Sequence, residues 1–241
     1  RFEIELSVSG KKESKVDKSF SEIDFNFKST EYYVVAETRF EGQGTFWSDV
    51  SDLAGTVFSG GTKTQIDYTV YLPAENYLRL EHKFGNVYTT DHTGDVDIKI
   101  SNGDLKAHAF TGNNTRLTLE FGTATIETIS QGDLEINYAE LYLTNGDQIK
   151  IQSKSSKFYM NEIAEAELTS KRDKFWIDKL NSVKGDISFS YLEIKELERS
   201  SDVKTHYGDY KVMDIGPEAT QVILNSNYTD ITIYFKPELY Y

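Results

Sequence analysis

A chain of 241 residues without cysteine is long enough to bury a core unaided, and it excludes a disulfide scaffold. Its 39 acidic residues against 26 basic ones leave a formal charge of −13, which repels nucleic acid and anionic lipid, so no DNA, RNA or membrane-surface partner is expected. Sixteen Tyr, 14 Phe and 16 Gly beside three Pro and two Met favour strands over helices.

The chain opens at Arg1 with neither Met nor a charged-then-apolar leader, the pattern of a chain whose export signal has been removed. No apolar run reaches the roughly 18 residues of a membrane span, so direct membrane insertion is not expected. Phe2, Ile4, Leu6 and Val8 alternate as a strand. After the Gly10-Lys11-Lys12 break, Val16, Phe20 and Ile23 follow helical spacing. Ile23-Phe25-Phe27 and the stretch from Tyr32 to Phe40 return to strands, and residues 41–63 form a loop with five glycines. Ile66, Tyr68, Val70 and Leu72 then alternate up to Pro73. Residues 1–75 thus read as a strand-helix-strand α/β cap, needed because an open solenoid end exposes unpaired backbone.

Residues 76–241 carry a repeat. Phe84, Asn102, Phe121, Tyr138, Ser155, Arg172, Phe189, Tyr207 and Tyr228 align as one corner position, at intervals of 17–21 residues. Four before each corner stands an almost wholly apolar column from Leu80 to Leu224; three and five after it stand two more, from Val87 to Ile231 and from Thr89 to Ile233. Lys, Glu, Asp, Thr and Asn fill most positions between, the period-2 pattern of strands with one buried face. Units this short cannot bury their apolar edges singly, whereas stacked coils share one interior. The fold class read from this is mainly β: a single-stranded parallel β-solenoid (β-helix) of about nine 17–21-residue coils. Glycines after the corners at 85, 103, 122 and 208 are expected to supply the positive φ of a tight turn.

The run Tyr68-Thr-Val-Tyr-Leu-Pro73, then Lys83-Phe-Gly-Asn-Val87, Gly94-Asp-Val-Asp-Ile98 and Ser101-Asn-Gly-Asp-Leu105, resembles a bacterial adhesin-like family of exported β-solenoid repeat proteins. The resemblance covers roughly residues 64–235. It implies the solenoid fold and an exported, periplasmic or cell-surface location in a bacterium, and it brings no catalytic signature. This chain departs at coils five and six, where the aromatic-Gly corner becomes Ser155-Ser156 and Arg172-Asp173, so a differently built turn is expected there.

Chemistry is sparse. Gly55-Thr-Val-Phe-Ser-Gly-Gly-Thr62 approaches a phosphate loop but has Gly61 at the Lys position and leads into a strand. The four histidines lie on different columns; only His82 falls on an inward one, and His92, His108 and His206 read as surface residues. Asp209 and Asp230 sit two after the corner on neighbouring coils, the arrangement a carbohydrate-active enzyme, lyase or glycosidase, would need on such a fold, yet acids after a turn ordinarily cap it. No cofactor and no metal are expected. The column four after the corner places Tyr142, Tyr159 and Trp176 on consecutive coils facing outward, where aromatics bind a protein or glycan ligand or simply stabilise the sheet. Phe46 and Trp47 in the glycine loop are the other binding candidates. A non-enzymatic binding or adhesin-like role is expected, with an enzyme or a structural spacer as alternatives.

Overall fold

The computed structural model describes residues 1–30, 33–40 and 62–235. The chain divides into two units, Arg1–Leu72 and Pro73–Tyr241. In the first unit, β1 (Phe2–Gly10) pairs antiparallel with β4 (Thr62–Val70), and β2 (Ile23–Ser29) with β3 (Val34–Phe40). The helix α1 (Glu13–Ser21) follows β1 and ends before Ile23, which starts β2 and so belongs to the strand period alone. The two-stranded sheets meet through an edge-on contact of Phe2 with Phe27, 6.2 Å between centroids, and a hydrogen bond between the Thr38 and Tyr68 hydroxyls. Thr62 and Lys63, expected in the loop, begin β4.

The second unit is a β-solenoid of about nine turns whose strands form one parallel sheet. Coils one to three use separate strands: β5 (Leu78–Lys83), β6 (Val87–Thr89), β7 (Val96–Ser101), β8 (Leu105–Phe110) and β9 (Thr115–Glu120). From there the strands fuse across the bend into β10 (Thr123–Asn137), β11 (Glu140–Lys154), β12 (Lys157–Lys171), β13 (Lys174–Ser188), β14 (Tyr191–Val212) and β15 (Gln221–Ile233). Neighbours pair in register, so each sequence column becomes a ladder along the axis. One register shift, between Leu180 and Ser182, absorbs an extra residue in β14. The three apolar columns are the core: Leu134, Ile151, Leu168, Leu141, Phe158, Phe175, Leu143, Met160 and Ile177 are all at most 1% exposed.

The nine aligned corner residues, Phe84 to Tyr228, all adopt φ between 52° and 62°. The left-handed residue is therefore the corner itself and not the glycine after it, which corrects the sequence expectation at 103, 122 and 208; of the described glycines only Gly85, at φ 157°, also has a positive φ. The glycines answer a different constraint: a Cβ at Gly103, Gly122 or Gly208 would lie against the carbonyl oxygen of Gly85, Gly103 or Ser190 on the preceding coil. Ser155 and Arg172 share the common corner conformation, so the turn in coils five and six is built like the others. A left-handed non-glycine residue costs about 1–2 kcal/mol. Each central coil offsets that by burying three apolar side chains, at about 1.5–3 kcal/mol apiece.

On the outward face the column five before the corner reads Arg79, Asp97, Arg116, Asp133, Lys150, Glu167, Lys184 and Asp202, each registered against the next. Charge alternates strictly over eight coils. Glu167 sits 2.9 Å from Lys184 and 3.9 Å from Lys150, and its carboxyl is held below the usual range, first by the Lys184 hydrogen bond.

Candidate functional site

Strands β11, β12 and β13 each place an aromatic residue between two buried ones: Tyr142 between Leu141 and Leu143, Tyr159 between Phe158 and Met160, Trp176 between Phe175 and Ile177. Period-2 geometry turns the middle side chain outward, and the register Tyr142↔Tyr159↔Trp176 aligns the three. Their rings stack, with centroids 4.7 Å and 4.9 Å apart and planes within 11° and 7°. Tyr142 is 39% exposed, while Tyr159 and Trp176 are half-buried because each is covered by a neighbouring ring on both sides. The second neighbour of Trp176 is Tyr191, at 5.8 Å and tilted by 46°. Tyr191 comes from the column two after the corner, so a scan along one column could not find it.

Charged groups close both ends of this four-ring ladder. The Tyr142 hydroxyl donates to Glu140 at 3.1 Å, and Lys157 Nζ donates to the same carboxylate at 2.7 Å. That Lys157 bond holds the Glu140 carboxyl low, while burial and then Glu140 push the Tyr142 phenol up. At the far end Lys211 Nζ lies 4.8 Å from the Tyr191 ring centre, and the Tyr191 hydroxyl donates to Glu193. Because ring faces cover one another, the ladder shows solvent mainly ring edges and hydroxyls. Such a surface can pack against apolar C–H groups and exchange hydrogen bonds, as interface aromatics do.

A second ladder, which the sequence does not announce because a corner position reads only as a turn, runs along the corners themselves. Phe121 stacks on Tyr138 at 5.3 Å, Phe189 on Tyr207 at 5.0 Å and Tyr207 on Tyr228 at 4.9 Å. These rings are exposed, Tyr228 by 80%. Ser155 and Arg172 interrupt the row. Phe46 and Trp47, with the phosphate-loop-like residues 55–61, lie outside the described residues.

Beneath the Ser155–Arg172 break is a buried polar cluster that the sequence did not reveal. Asp173, 1% exposed, accepts hydrogen bonds from Ser170 Oγ (2.6 Å), Ser153 Oγ (2.8 Å) and the backbone N–H groups of Ser156 (2.6 Å) and Lys171 (3.0 Å). Burial pushes its carboxyl up against the pull of these donors. Ser190 completes the cluster through the Asp173 N–H and Ser170 Oγ. The residues that replace glycine after the corner are thus small or self-satisfied polar groups.

The histidines stay apart from the ladder. Burial lowers His82. His92, expected at the surface, is only 5% exposed: it bonds the Asn76 carbonyl at 2.6 Å and forms a parallel bridge with Phe110 of the next coil. His108 is raised by its hydrogen bond to Asp91 and by nearby Glu127. Asp209 and Asp230 are register partners. Among the described residues no group of three or more His, Asp or Glu could hold a metal ion, and no helix is long and apolar enough to cross a membrane. A shallow groove of about 610 Å³ follows a different set of columns, lined by Gln131, Gln148, Glu165, Ser182 and the alternating charges beside them.

No family model, no curated protein and no solved structure matches the chain significantly.

Proposed function

We propose that this chain is a non-enzymatic binding protein, exported to the periplasm or cell surface and adhesin-like in character, that engages a protein or glycan ligand through the ladder Tyr142–Tyr159–Trp176–Tyr191. The observation that carries the reading is the unbroken row of three stacked rings and a tilted fourth on one outward face of the central coils, flanked by charged groups, whereas the other aromatic row, along the corners, is interrupted at Ser155 and Arg172. A solvated sheet needs no such row, because Thr125 and Thr232 fill the same column on other coils. Large apolar rings gathered on an outer face are the composition of an interface anchor. The paired acids Asp209 and Asp230 serve as turn-flanking residues in this reading.

The test is a glycan and protein array probed with the full chain and with Trp176→Ala. A ligand held by the ladder should bind the variant at least tenfold more weakly, since a central aromatic anchor commonly contributes 2 kcal/mol or more. Equal binding by the two proteins would sink the assignment. Turnover of any polysaccharide on the array that Asp209→Asn abolishes would instead establish an enzyme.

A further inference from the structure

The chain treats its cations in two opposite ways. In the column five residues before the corners the pattern is neutral, with every cation from Arg79 to Lys184 set beside acids on the neighbouring coils. Around the corners of coils five and six the arrangement is reversed. Lys154 is registered against Lys171, and Lys157 against Lys174, with Arg172 between the two pairs. Like charges directly opposite in a sheet repel. All five side chains are exposed, and the chain around them carries a net charge of −13. Glu140 engages Lys157, and Lys154 lies 5.5 Å from the Tyr138 ring centre. Among the described residues Lys171, Arg172 and Lys174 have no carboxylate at ion-pair distance. The nearest acid in sequence, Asp173, points into the core and spends its lone pairs on serines and backbone N–H groups.

The backbone does not require this cluster. Ser155 and Arg172 hold the same left-handed φ as the aromatic corners, so the repeat is broken in side chain only. A local departure from an otherwise consistent pattern, unfavourable for folding, is where function is expected. Two of these strands also carry rings of the ladder: Lys157 and Tyr159 are two apart on β12, Lys174 and Trp176 two apart on β13, so these two lysines share the face of the rings, while Lys154, Lys171 and Arg172 stand before and at the adjoining corner.

We infer that this corner and the ladder face beside it bind an anionic polysaccharide, its carboxylate or sulfate groups lying between the stacked lysines and on the Arg172 fork while the apolar C–H faces of its sugars rest on the edges of Tyr159 and Trp176. This rests on the ladder being a binding surface and adds the charge of the ligand. An anion between Lys154 and Lys171, or between Lys157 and Lys174, converts repulsion into two charge-assisted hydrogen bonds. The patch spans two coils, roughly 4.8 Å apart, which suits a single flexible strand. A duplex or a membrane plane would meet the surrounding negative potential. Aromatic rings two residues from Lys157 and Lys174 on the same strands offer the C–H faces of sugars a surface that an acidic polypeptide would leave uncovered.

Calorimetric titration of the full chain with dextran sulfate, polygalacturonate, neutral dextran and polyglutamate tests the inference. The proteins compared are wild type, Lys171→Ser/Arg172→Ser, Lys157→Thr/Lys174→Thr and Trp176→Ala, each with its melting curve to show that it is folded. The expected result is binding of at least one charged polysaccharide, weakened at least tenfold by either cation double variant and by raised salt, with none to neutral dextran. No binding of either charged polysaccharide, or unchanged affinity in both cation variants, overturns it. Polyglutamate binding more tightly than both polysaccharides, with the same sensitivity, overturns the glycan in favour of an acidic protein. Loss in the cation variants with full binding by Trp176→Ala retains the charge site and removes the ladder; the reverse retains the ladder and removes the charge site.

Discussion

At the scale of single residues the least expected feature is Asp173, a carboxyl inside a solenoid core with serines and backbone N–H groups as its partners. Burial raises its folded pKa above the ordinary 3.8. The folded state therefore holds the proton to a higher pH than the unfolded chain does, and linkage gives stability that grows as pH falls through the raised value and is complete below 3.8. Urea midpoints of wild type and Asp173→Asn measured from pH 7 down to about pH 4 should show wild type gaining relative to the variant on acidification. A difference independent of pH would contradict the raised carboxyl. Gly122 is the second test at this scale. Its missing Cβ leaves room for the Gly103 carbonyl oxygen, so Gly122→Ala has to push two coils apart, at a cost of about 1–3 kcal/mol by chemical denaturation. A neutral result would mean that the coils are not so close.

At the scale of strands and coils, inward and outward columns should respond differently to truncation. Leu141, Ile151, Leu168 and Ile177 are at most 1% exposed in central coils, where no fraying end can collapse onto a void, so each change to Ala should cost about 2–5 kcal/mol. Losses below roughly 0.5 kcal/mol at three of the four would be incompatible with the register. Lys174→Ala, on the outward face, should leave the denaturation midpoint nearly unchanged. The alternating column makes a further element-scale claim: Glu167→Lys sets three cations in a row from Lys150 to Lys184 and should lower the melting temperature more at low salt than at high salt, since exposed charges are screened. The same columns explain what could be read from sequence. Alternation at period 2 and the 17–21-residue spacing place the core and the outward aromatics, because burial and strand direction follow directly from them. Phe2 and Phe27, Tyr191 and Trp176, and Asp173 with Ser153 and Ser170 meet only through bends and stacking between columns, which spacing does not encode. The corner glycines differ from expectation for the same reason: proximity to the preceding coil is a property of stacking, while φ is a property of one residue.

At the scale of the solenoid unit, nine coils supply a rigid ruler on which any outward column becomes a straight row, and the chain uses that ruler in several ways. Five before the corner the row is charge-neutral and alternating; at the corner it is aromatic and interrupted; four after the corner it is a ring stack with cations beside it. The proposed function requires that the ring stack be dispensable for folding. Its column already holds Thr125 and Thr232 on other coils, and threonine is a good strand former with favourable cross-strand pairing. The decisive measurement is therefore urea denaturation of the triple variant Tyr142→Thr/Tyr159→Thr/Trp176→Thr, followed by ligand titration of the same sample. A surface role predicts cooperative unfolding within about 2 kcal/mol of wild type, since stacked pairs add about 0.5–1.5 kcal/mol each and threonine pairs restore part of it, together with loss of ligand binding. A triple variant that no longer folds cooperatively, or one that folds and still binds as wild type does, would contradict the ladder as the binding surface.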